Sequence, residues 1–448
     1  MNLKGQRILV IGLGKTGIAS VRFLMGQGAK VTATDEKPQS DLKDAVHELG
    51  SLTLNLEFCT YNADVLSRVD MIVPSPGVPP SNIILAEAQR RKIPIISEIE
   101  LAYRFLKPPL MAITGTNGKT TTTTLIGHIL AKDGKGVFVG GNIGNPLVGY
   151  IDGKQDDDYA VVEVSSFQLQ WIQSFHPSIS ILLNTTCDHA DYHGSFESYR
   201  ETKERIFENQ GGADLAILNA DEPRAPLLAR NMAAKVQFFS TKTEVKKGIF
   251  LKDRTLVHYT LYGDCEEYPL DMIKLPGLHN IENVMAAIMA ARYCGCSHGS
   301  IISAVGDFKG IPHRIEFTEE KNGVAFYDDS KGTNVGAVAR ALETFSRPII
   351  LLMGGRDKEG DFGTLSPLVK SKVKELVLFG EARNKIGDLI GGIVKTSKCT
   401  TLKEAIELAY RHSSAGDVVL LSPGCASFDE FSNYKERGTF FKDVVKSL

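Results

Sequence analysis

Tryptophan occurs once in 448 residues, cysteine seven times, and neither charge sign is in excess. The cysteines, at positions 59, 187, 265, 294, 296, 399 and 425, are odd in number. The one close pair, Cys294 and Cys296, lacks the spacing of a zinc or redox site. A disulfide-stapled scaffold is therefore excluded, and all seven read as reduced thiols of a cytoplasmic protein. Lys and Arg total 51 against 53 Asp and Glu, a net charge of −2. That balance leaves no positive surplus to neutralise a nucleic-acid backbone, so nucleic acid is not an expected partner. Mean hydropathy is −0.07. No apolar run approaches the roughly 20 residues of a membrane helix, so no membrane insertion is expected. Met1 to Arg7 run into a strand-like segment without a signal-peptide layout. Asn184-Thr185-Thr186 fits a glycosylation pattern that has no meaning without secretion. Repeats and low-complexity tracts are missing too. What remains, 43% hydrophobic and 23% charged residues, is the balance of a soluble globular chain long enough for two or three domains.

Short β-rich apolar runs alternate with helical patterns, the signature of stacked βα units. A first block holds strand patterns at Arg7–Ile11, Lys30–Asp35 and Val69–Val73, a helix pattern at Ile18–Gln27, and a proline-rich loop through Pro74, Pro76, Pro79 and Pro80. It closes near Ser97. A second block opens with strand Leu110–Thr114 and helix Lys119–Ala131. It continues through buried strand patterns at Tyr159–Val164, Ile179–Asn184 and Asp214–Asn219. Between Lys247 and Met272 the pattern becomes polar-alternating, as in an antiparallel extension. Gly310-Ile311-Pro312 reads as a linker. A third block repeats the βα rhythm with strands at Val324–Tyr327, Pro348–Met353, Glu375–Phe379 and Asp417–Leu421. The expected domains are residues 1–97, 98–310 and 311–448.

Gly115-Thr116-Asn117-Gly118-Lys119-Thr120 lies between a strand and a helix. Glycines free the backbone N–H groups to wrap a phosphate, and the helix N-terminus adds positive field. Lys119 can reach terminal phosphates and the Thr120 hydroxyl can ligate Mg²⁺. The match to the phosphate-loop pattern is partial, because Ile113 stands where its first glycine belongs. Gly12-Leu13-Gly14-Lys15-Thr16-Gly17 also joins a strand to a helix, with Asp35 at the end of the next strand. This is a dinucleotide fingerprint in its proper context; NAD is its default ligand, but any nucleotide diphosphate could use the same turn. Glu163, before Ser165-Ser166-Phe167-Gln168, ends a strand where α/β ligands gather. Asp188-His189-Ala190-Asp191-Tyr192-His193 follows the next strand and, beside a phosphate loop, suits Mg²⁺. Three further polar loops end strands of the last block: Asp328 to Asn334, Gly354 to Lys358 and Ser422 to Ser427. Together they suggest a substrate pocket. Cys425 reads as a packed residue rather than a nucleophile, since no His or Asn partner is evident.

Gly115–Thr120, Glu163-x-Ser165-Ser166-Phe167-Gln168, Asn184-x-x-x-Asp188-His189, Tyr199-Arg200-x-x-Lys203, His279-Asn280-x-x-Asn283 and His313-Arg314 resemble, in order, the Mur ligases of peptidoglycan synthesis. With the first fingerprint and the third-block loops, the resemblance spans essentially the whole chain. Asp329-Ser330-Lys331-Gly332-Thr333-Asn334 is similar to the form in the family's D-glutamate-adding members, with Gly332 in place of an expected alanine. The resemblance implies an α/β protein of three domains. These are a Rossmann-like UDP-binding domain, a central P-loop ATPase domain with a mainly parallel sheet, and a C-terminal Rossmann-like domain that takes the amino acid. The implied reaction is an ATP-dependent addition of D-glutamate to UDP-N-acetylmuramoyl-L-alanine through an acyl phosphate, giving ADP and phosphate. The setting would be cytoplasmic cell-wall biogenesis, with consequences for cell shape and division, and the expected form is a monomer.

The resemblance also carries site residues. The UDP-linked substrate would meet Gly14, Lys15, Thr16, Asp35, Ser75, Gly77, Asn142 and His189. ATP would meet Gly115, Thr116, Asn117, Gly118, Lys119, Thr120, Thr121, Asn280, Asn283, Arg314 and Asp329. D-Glutamate would lie among Lys331, Thr333, Lys358, Ser427, Phe428 and Tyr434. The implied catalytic set is Lys119, Glu163, His189, Lys203 and Lys331. Two Mg²⁺ ions would be held by Thr120, Glu163, His189 and Lys203, with Lys203 carrying a carbamate formed from CO₂. An amide ligase of a neighbouring family, such as folylpolyglutamate synthase, fits the first fingerprint poorly. An NAD-dependent oxidoreductase leaves the phosphate loop and third block unexplained.

Overall fold

A computed structural model describes the chain except for residues 51–54, 59–62, 187–189 and 358. It falls into two compact units, Met1–Met272 with Glu282–Asp307, and Ile273–Ile281 with Phe308–Leu448.

The first unit contains two sheets. In one, β1 (Arg7–Ile11), β2 (Lys30–Asp35), β3 (Asn55–Phe58) and β4 (Met71–Pro74) run in the order β3-β2-β1-β4. All its pairings are parallel. Four of the five β1 residues are buried, as expected of a strand covered on both faces. The first helix spans Lys15–Gly26, three residues earlier than the pattern Ile18–Gln27 suggests. The glycine turn thus ends at Gly14, and Gly17 is an interior helix residue. A Cβ on Gly17 would sit 1.9 Å from the Gly12 carbonyl oxygen, so only glycine lets the helix lie this close to β1.

The other sheet comprises β5 (Leu110–Thr114), β6 (Val137–Gly141), β7 (Tyr159–Glu163), β8 (Ile179–Leu182), β9 (Leu215–Asn219), β10 (Lys235–Ser240), β11 (Gly248–Lys252), β12 (Thr255–Tyr259) and β13 (Cys265–Pro269). Their order is β13-β12-β11-β10-β9-β8-β5-β7-β6. Pairing is parallel from β6 to β11 and antiparallel from β11 to β13, the extension that the polar alternation predicts. The chain leaves β5 with β7 on one side and β8 on the other. That switch point, at the carboxyl ends of the strands, opens a crevice, and the Gly115–Gly118 loop occupies it.

The second unit is built on β14 (Glu316–Lys321), β15 (Val324–Asp328), β16 (Ile349–Gly354), β17 (Val373–Phe379), β18 (Lys395–Lys398) and β19 (Val418–Gly424). Their order is β14-β15-β19-β16-β17-β18, parallel except for β14. Apolar clusters cover both faces of this sheet. Among the described residues no helix is long and apolar enough to cross a membrane. Cys265, Cys294, Cys296, Cys399 and Cys425 are free thiols, while Cys59 and Cys187 lie outside the described residues.

Candidate active site

The central phosphate loop is built by main-chain geometry and then locked from outside. Gly118 has φ +87°, a left-handed conformation that costs glycine nothing, and its missing Cβ leaves room for Asn283 Oδ1, which would lie only 2.2 Å from it. Asn184, just past β8, accepts from Asn117 N–H at 2.9 Å and returns its amide to the Asn117 carbonyl at 3.1 Å. Thr116 N–H donates to the Asn184 carbonyl at 3.0 Å. Thr122 donates to Asn283 Oδ1 at 3.3 Å. Loop and helix are thus fixed from two separate elements.

Two lysines converge on that loop. Lys119 Nζ donates to the carbonyls of Gly115 at 2.8 Å and Thr116 at 2.9 Å. Lys203 Nζ donates to the same Gly115 carbonyl at 3.0 Å, and its side chain is buried. Ser195 caps the helix that carries Lys203, accepting from Ser198 N–H. Tyr199, one turn before Lys203, lies beneath the amine at 4.6 Å and shares a 3.1 Å hydrogen bond with Thr116. The buried Thr120 hydroxyl donates to Glu163 Oε2 at 2.7 Å, and Asn142 Nδ2 donates to Glu163 Oε1 at 2.9 Å. Lys119, Thr120, Glu163, Asn142 and Lys203 are therefore one cluster. Thr121 is buried in the same helix. His189 lies outside the described residues. Tyr192, shortly after it, donates to the Val78 carbonyl at 3.0 Å, and burial pushes its phenol up to about 12.

The first-sheet turn is also closed on itself. Asp35 accepts from Leu13 N–H at 2.7 Å and from Lys37 N–H at 3.0 Å. Ser75 Oγ donates to the Gly12 carbonyl at 2.7 Å. Gly14 caps the following helix in an extended conformation with open space beside it, Thr16 lies in its first turn, and Gly77 has φ +98°. Lys15 reaches out to donate to the Gly144 carbonyl, two residues from Asn142.

In the second unit, β15 ends in two buried carboxylates. Asp328 pairs with His313 at 2.6 Å and accepts from Ser330 N–H at 2.8 Å. Asp329 accepts from Ser422 Oγ at 2.7 Å. Burial pushes Asp329 up to about 7, against the opposing pull of Ser422 and Arg314. Lys331 Nζ sits 5.4 Å from the Tyr434 ring, and Thr333 N–H donates to the Lys331 carbonyl at 2.9 Å. Ser427 is buried and Phe428 exposed. Asn280 donates to the Pro276 carbonyl at 2.7 Å. Lys358 lies outside the described residues. Burial pushes the Cys425 thiol up to about 12, in keeping with a packed residue.

Sequence reasoning missed two groups. Arg437 is fully buried on the last helix, and its guanidinium donates to Ser330 Oγ and to the carbonyls of Ser330, Ala426 and Cys425 at 2.9–3.2 Å. It pins together the Asp328–Asn334 and Ser422–Ser427 loops. Glu98 is buried and accepts from Val148 N–H and Gln168 Nε2. Neither stands in a recognisable motif; a charge within an apolar helical pattern is the only signal either leaves.

Family models match in three stretches: a Mur ligase MurD-like N-terminal domain at residues 6–97, a Mur ligase middle domain at 113–291 and a Mur ligase glutamate ligase domain at 313–425. The chain is 60% identical to the UDP-N-acetylmuramoylalanine–D-glutamate ligase of Syntrophus aciditrophicus, covering 100% of this chain and 99% of the relative. It is 46% identical to the Geotalea uraniireducens protein of the same name, with coverage of 100% and 99%. In fold it is similar to the MurF ligase of Thermotoga maritima solved with ADP, at TM-score 0.61 and 17% identity over 100% and 96% of the two chains. A pseudomurein peptide ligase from Methanothermus fervidus gives TM-score 0.60 at 19% identity over 99% and 100%. A three-sheet α/β chain with a phosphate loop at the switch point, matched along its whole length by such relatives, belongs to the Mur ligase family.

Proposed function

We infer that the chain joins D-glutamate to UDP-N-acetylmuramoyl-L-alanine at the expense of ATP, in the cytoplasmic stage of peptidoglycan precursor synthesis. The observation that carries the reading is the cluster Lys119–Thr120–Glu163–Asn142 at the switch point, in a chain 60% identical to a relative bearing that activity in its name. The domains we assign are residues 1–97 for the UDP moiety, 98–310 for ATP and 311–448 for the amino acid.

A carboxylate is a poor electrophile. The alanyl carboxylate of the UDP-linked substrate attacks the γ-phosphorus, ADP departs, and an acyl phosphate results. Positioning and charge neutralisation dominate such a transfer. Lys119 supplies charge at the phosphates, and the Gly115–Gly118 amides hold them. The deprotonated amine of D-glutamate then attacks the acyl carbon, the tetrahedral oxyanion collapses, and phosphate leaves. Lys331, Thr333, Lys358, Ser427, Phe428 and Tyr434 surround the amino acid. Two of them are cationic, to match its two carboxylates. Asn280, Asn283, Arg314 and Asp329 contact ATP. Gly14, Lys15, Thr16, Asp35, Ser75, Gly77, Asn142 and His189 seat the other substrate.

The Thr120 hydroxyl and Glu163 carboxylate, 2.7 Å apart, are hard oxygen donors that would hold Mg²⁺, and His189 would be a further ligand. Bound there, the ion would neutralise phosphate charge. Lys203 is assigned a carbamate. Its amine shares the Gly115 carbonyl with the Lys119 amine, which sets both at the phosphate loop. The neutral amine would attack CO₂, forming the carbon–nitrogen bond and giving up a proton, and the two carbamate oxygens would suit a second Mg²⁺.

Phosphate release from ATP that requires both UDP-N-acetylmuramoyl-L-alanine and D-glutamate tests the whole reading. Release that needs only one of them, or accepts another amino acid equally well, would overturn it.

A further inference from the structure

Glu98 opens the helix Glu98–Tyr103, and 1% of its surface is exposed. One carboxylate oxygen accepts from Val148 N–H at 2.7 Å, and Leu147 N–H also points to the carboxylate. The other oxygen accepts from Gln168 Nε2 at 3.4 Å. Among the described residues, the groups that favour its charge are these amides, with no cation in the set, and burial pushes the carboxyl up to about 7. An apolar side chain would be cheaper to bury here. A carboxyl contributes something else: directional bonds to donors on two short helices, each fed by a loop.

The first of those loops runs from Gly141 to Pro146. Asn142 donates from its backbone to the Glu163 carbonyl at 2.9 Å and from its side chain to Glu163 Oε1 at 2.9 Å. Gly144 accepts from Lys15. The loop feeds the short helix Leu147–Ile151, whose first N–H groups Glu98 takes. The second loop leaves β7 just after Glu163. Its turn is a capping box in which Gln168 Oε1 accepts from Ser165 N–H and Ser165 Oγ, both at 3.0 Å, leaving Nε2 to face Glu98. Glu98 thus fastens the Asn142 loop to the turn behind Glu163.

We propose that Glu98 is a positioning residue for the UDP-linked substrate: it sets the register of Asn142 and Gly144 against Glu163. The inference rests on the reading under Proposed function. The phosphate loop has further ties of its own, to Asn184 and Asn283, beside the Thr120–Glu163 bond, so loss of Glu98 acts far more on the UDP-linked substrate than on ATP. A merely structural role would not separate them.

The test uses the full chain and steady-state kinetics with each substrate varied in turn. Glu98→Leu should raise KM for UDP-N-acetylmuramoyl-L-alanine about tenfold or more, while KM for ATP stays within about twofold. Glu98→Gln keeps an oxygen for Val148 N–H but turns an amide towards Gln168, so its KM for the UDP-linked substrate should fall between. If Glu98→Leu does not fold, the KM split in Glu98→Gln decides. Equal shifts for both substrates, or none, overturn the proposal while the parent enzyme still turns over. A parent enzyme without D-glutamate-dependent turnover overturns the functional reading, and this inference with it.

Discussion

Asp329 shows how one buried carboxyl ties stability to pH. Burial raises it from 3.8 to about 7 in the folded chain. Below about pH 4 both folded and unfolded forms hold the proton, and nothing is lost. Between about pH 4 and 7 the unfolded chain gives up the proton while the folded chain keeps it. Stability therefore falls as pH rises through that window, by at most about 4 kcal/mol, and the loss is complete above it. Asn at this position still accepts from Ser422 but has no proton to lose. Asp329→Asn should then raise the melting temperature relative to the parent at pH 8 and leave it nearly unchanged at pH 4, although ATP turnover falls. An identical difference at both pH values would mean that Asp329 is not the titrating group. The strand end that carries this residue is legible in the sequence, since a run of apolar residues stops at two acids. Its proton affinity is not, because that comes from burial in the folded chain, opposed by Ser422, 93 positions away. Glu98 and Arg437 were illegible for the same reason: their partners lie on loops that only the folded chain brings near. Lys203 was legible only through family resemblance; a helical lysine by itself reads as solvated.

At the scale of elements, the two glycine loops look alike in sequence and differ in physics. Gly118 is left-handed, and an added Cβ would meet Asn283 Oδ1 at 2.2 Å. Gly118→Ala should cost about 1–2 kcal/mol from backbone alone. It should also push Asn283 off Thr122 and weaken ATP binding more than about tenfold, as read by calorimetry and a thermal melt. Gly14 is extended, with nothing near the site of its Cβ. Gly14→Ala should change stability by no more than about 1 kcal/mol, yet raise KM for the UDP-linked substrate if a diphosphate packs against that bare turn. Unchanged KM would remove Gly14 from the site. The strands nearest both loops, β1, β5 and β7, are buried on both faces, and their unbroken apolar runs announced them. Three edge strands did not. β14 is rich in glutamate, β18 reads Lys-Thr-Ser-Lys, and β6 ends in two glycines. An edge strand needs little apolar surface, so pairing with a neighbour makes the strand where composition does not.

For the molecule as a whole, three mainly parallel sheets each end in polar loops, and the assigned reaction draws on residues of all three. The acyl phosphate is the intermediate that ties them together, and it leaves an isotopic trace. When the alanyl carboxylate attacks the γ-phosphorus, one of its oxygens becomes the bridge between carbon and phosphorus. When the D-glutamate amine then attacks the carbon, the carbon–oxygen bond breaks and the bridge departs with phosphate. A substrate labelled with oxygen-18 in both carboxylate oxygens must therefore deliver one labelled oxygen to each phosphate released and keep the other in the new amide. Direct attack of water on ATP would leave the phosphate unlabelled. Mass spectrometry of the phosphate separates the two. Glu98→Leu, assayed alongside, should slow the formation of labelled phosphate without changing the fraction labelled, because a misplaced carboxylate reacts less often but by the same bonds. Unlabelled phosphate from the parent enzyme in the presence of all three substrates would sink the acyl-phosphate route for this chain.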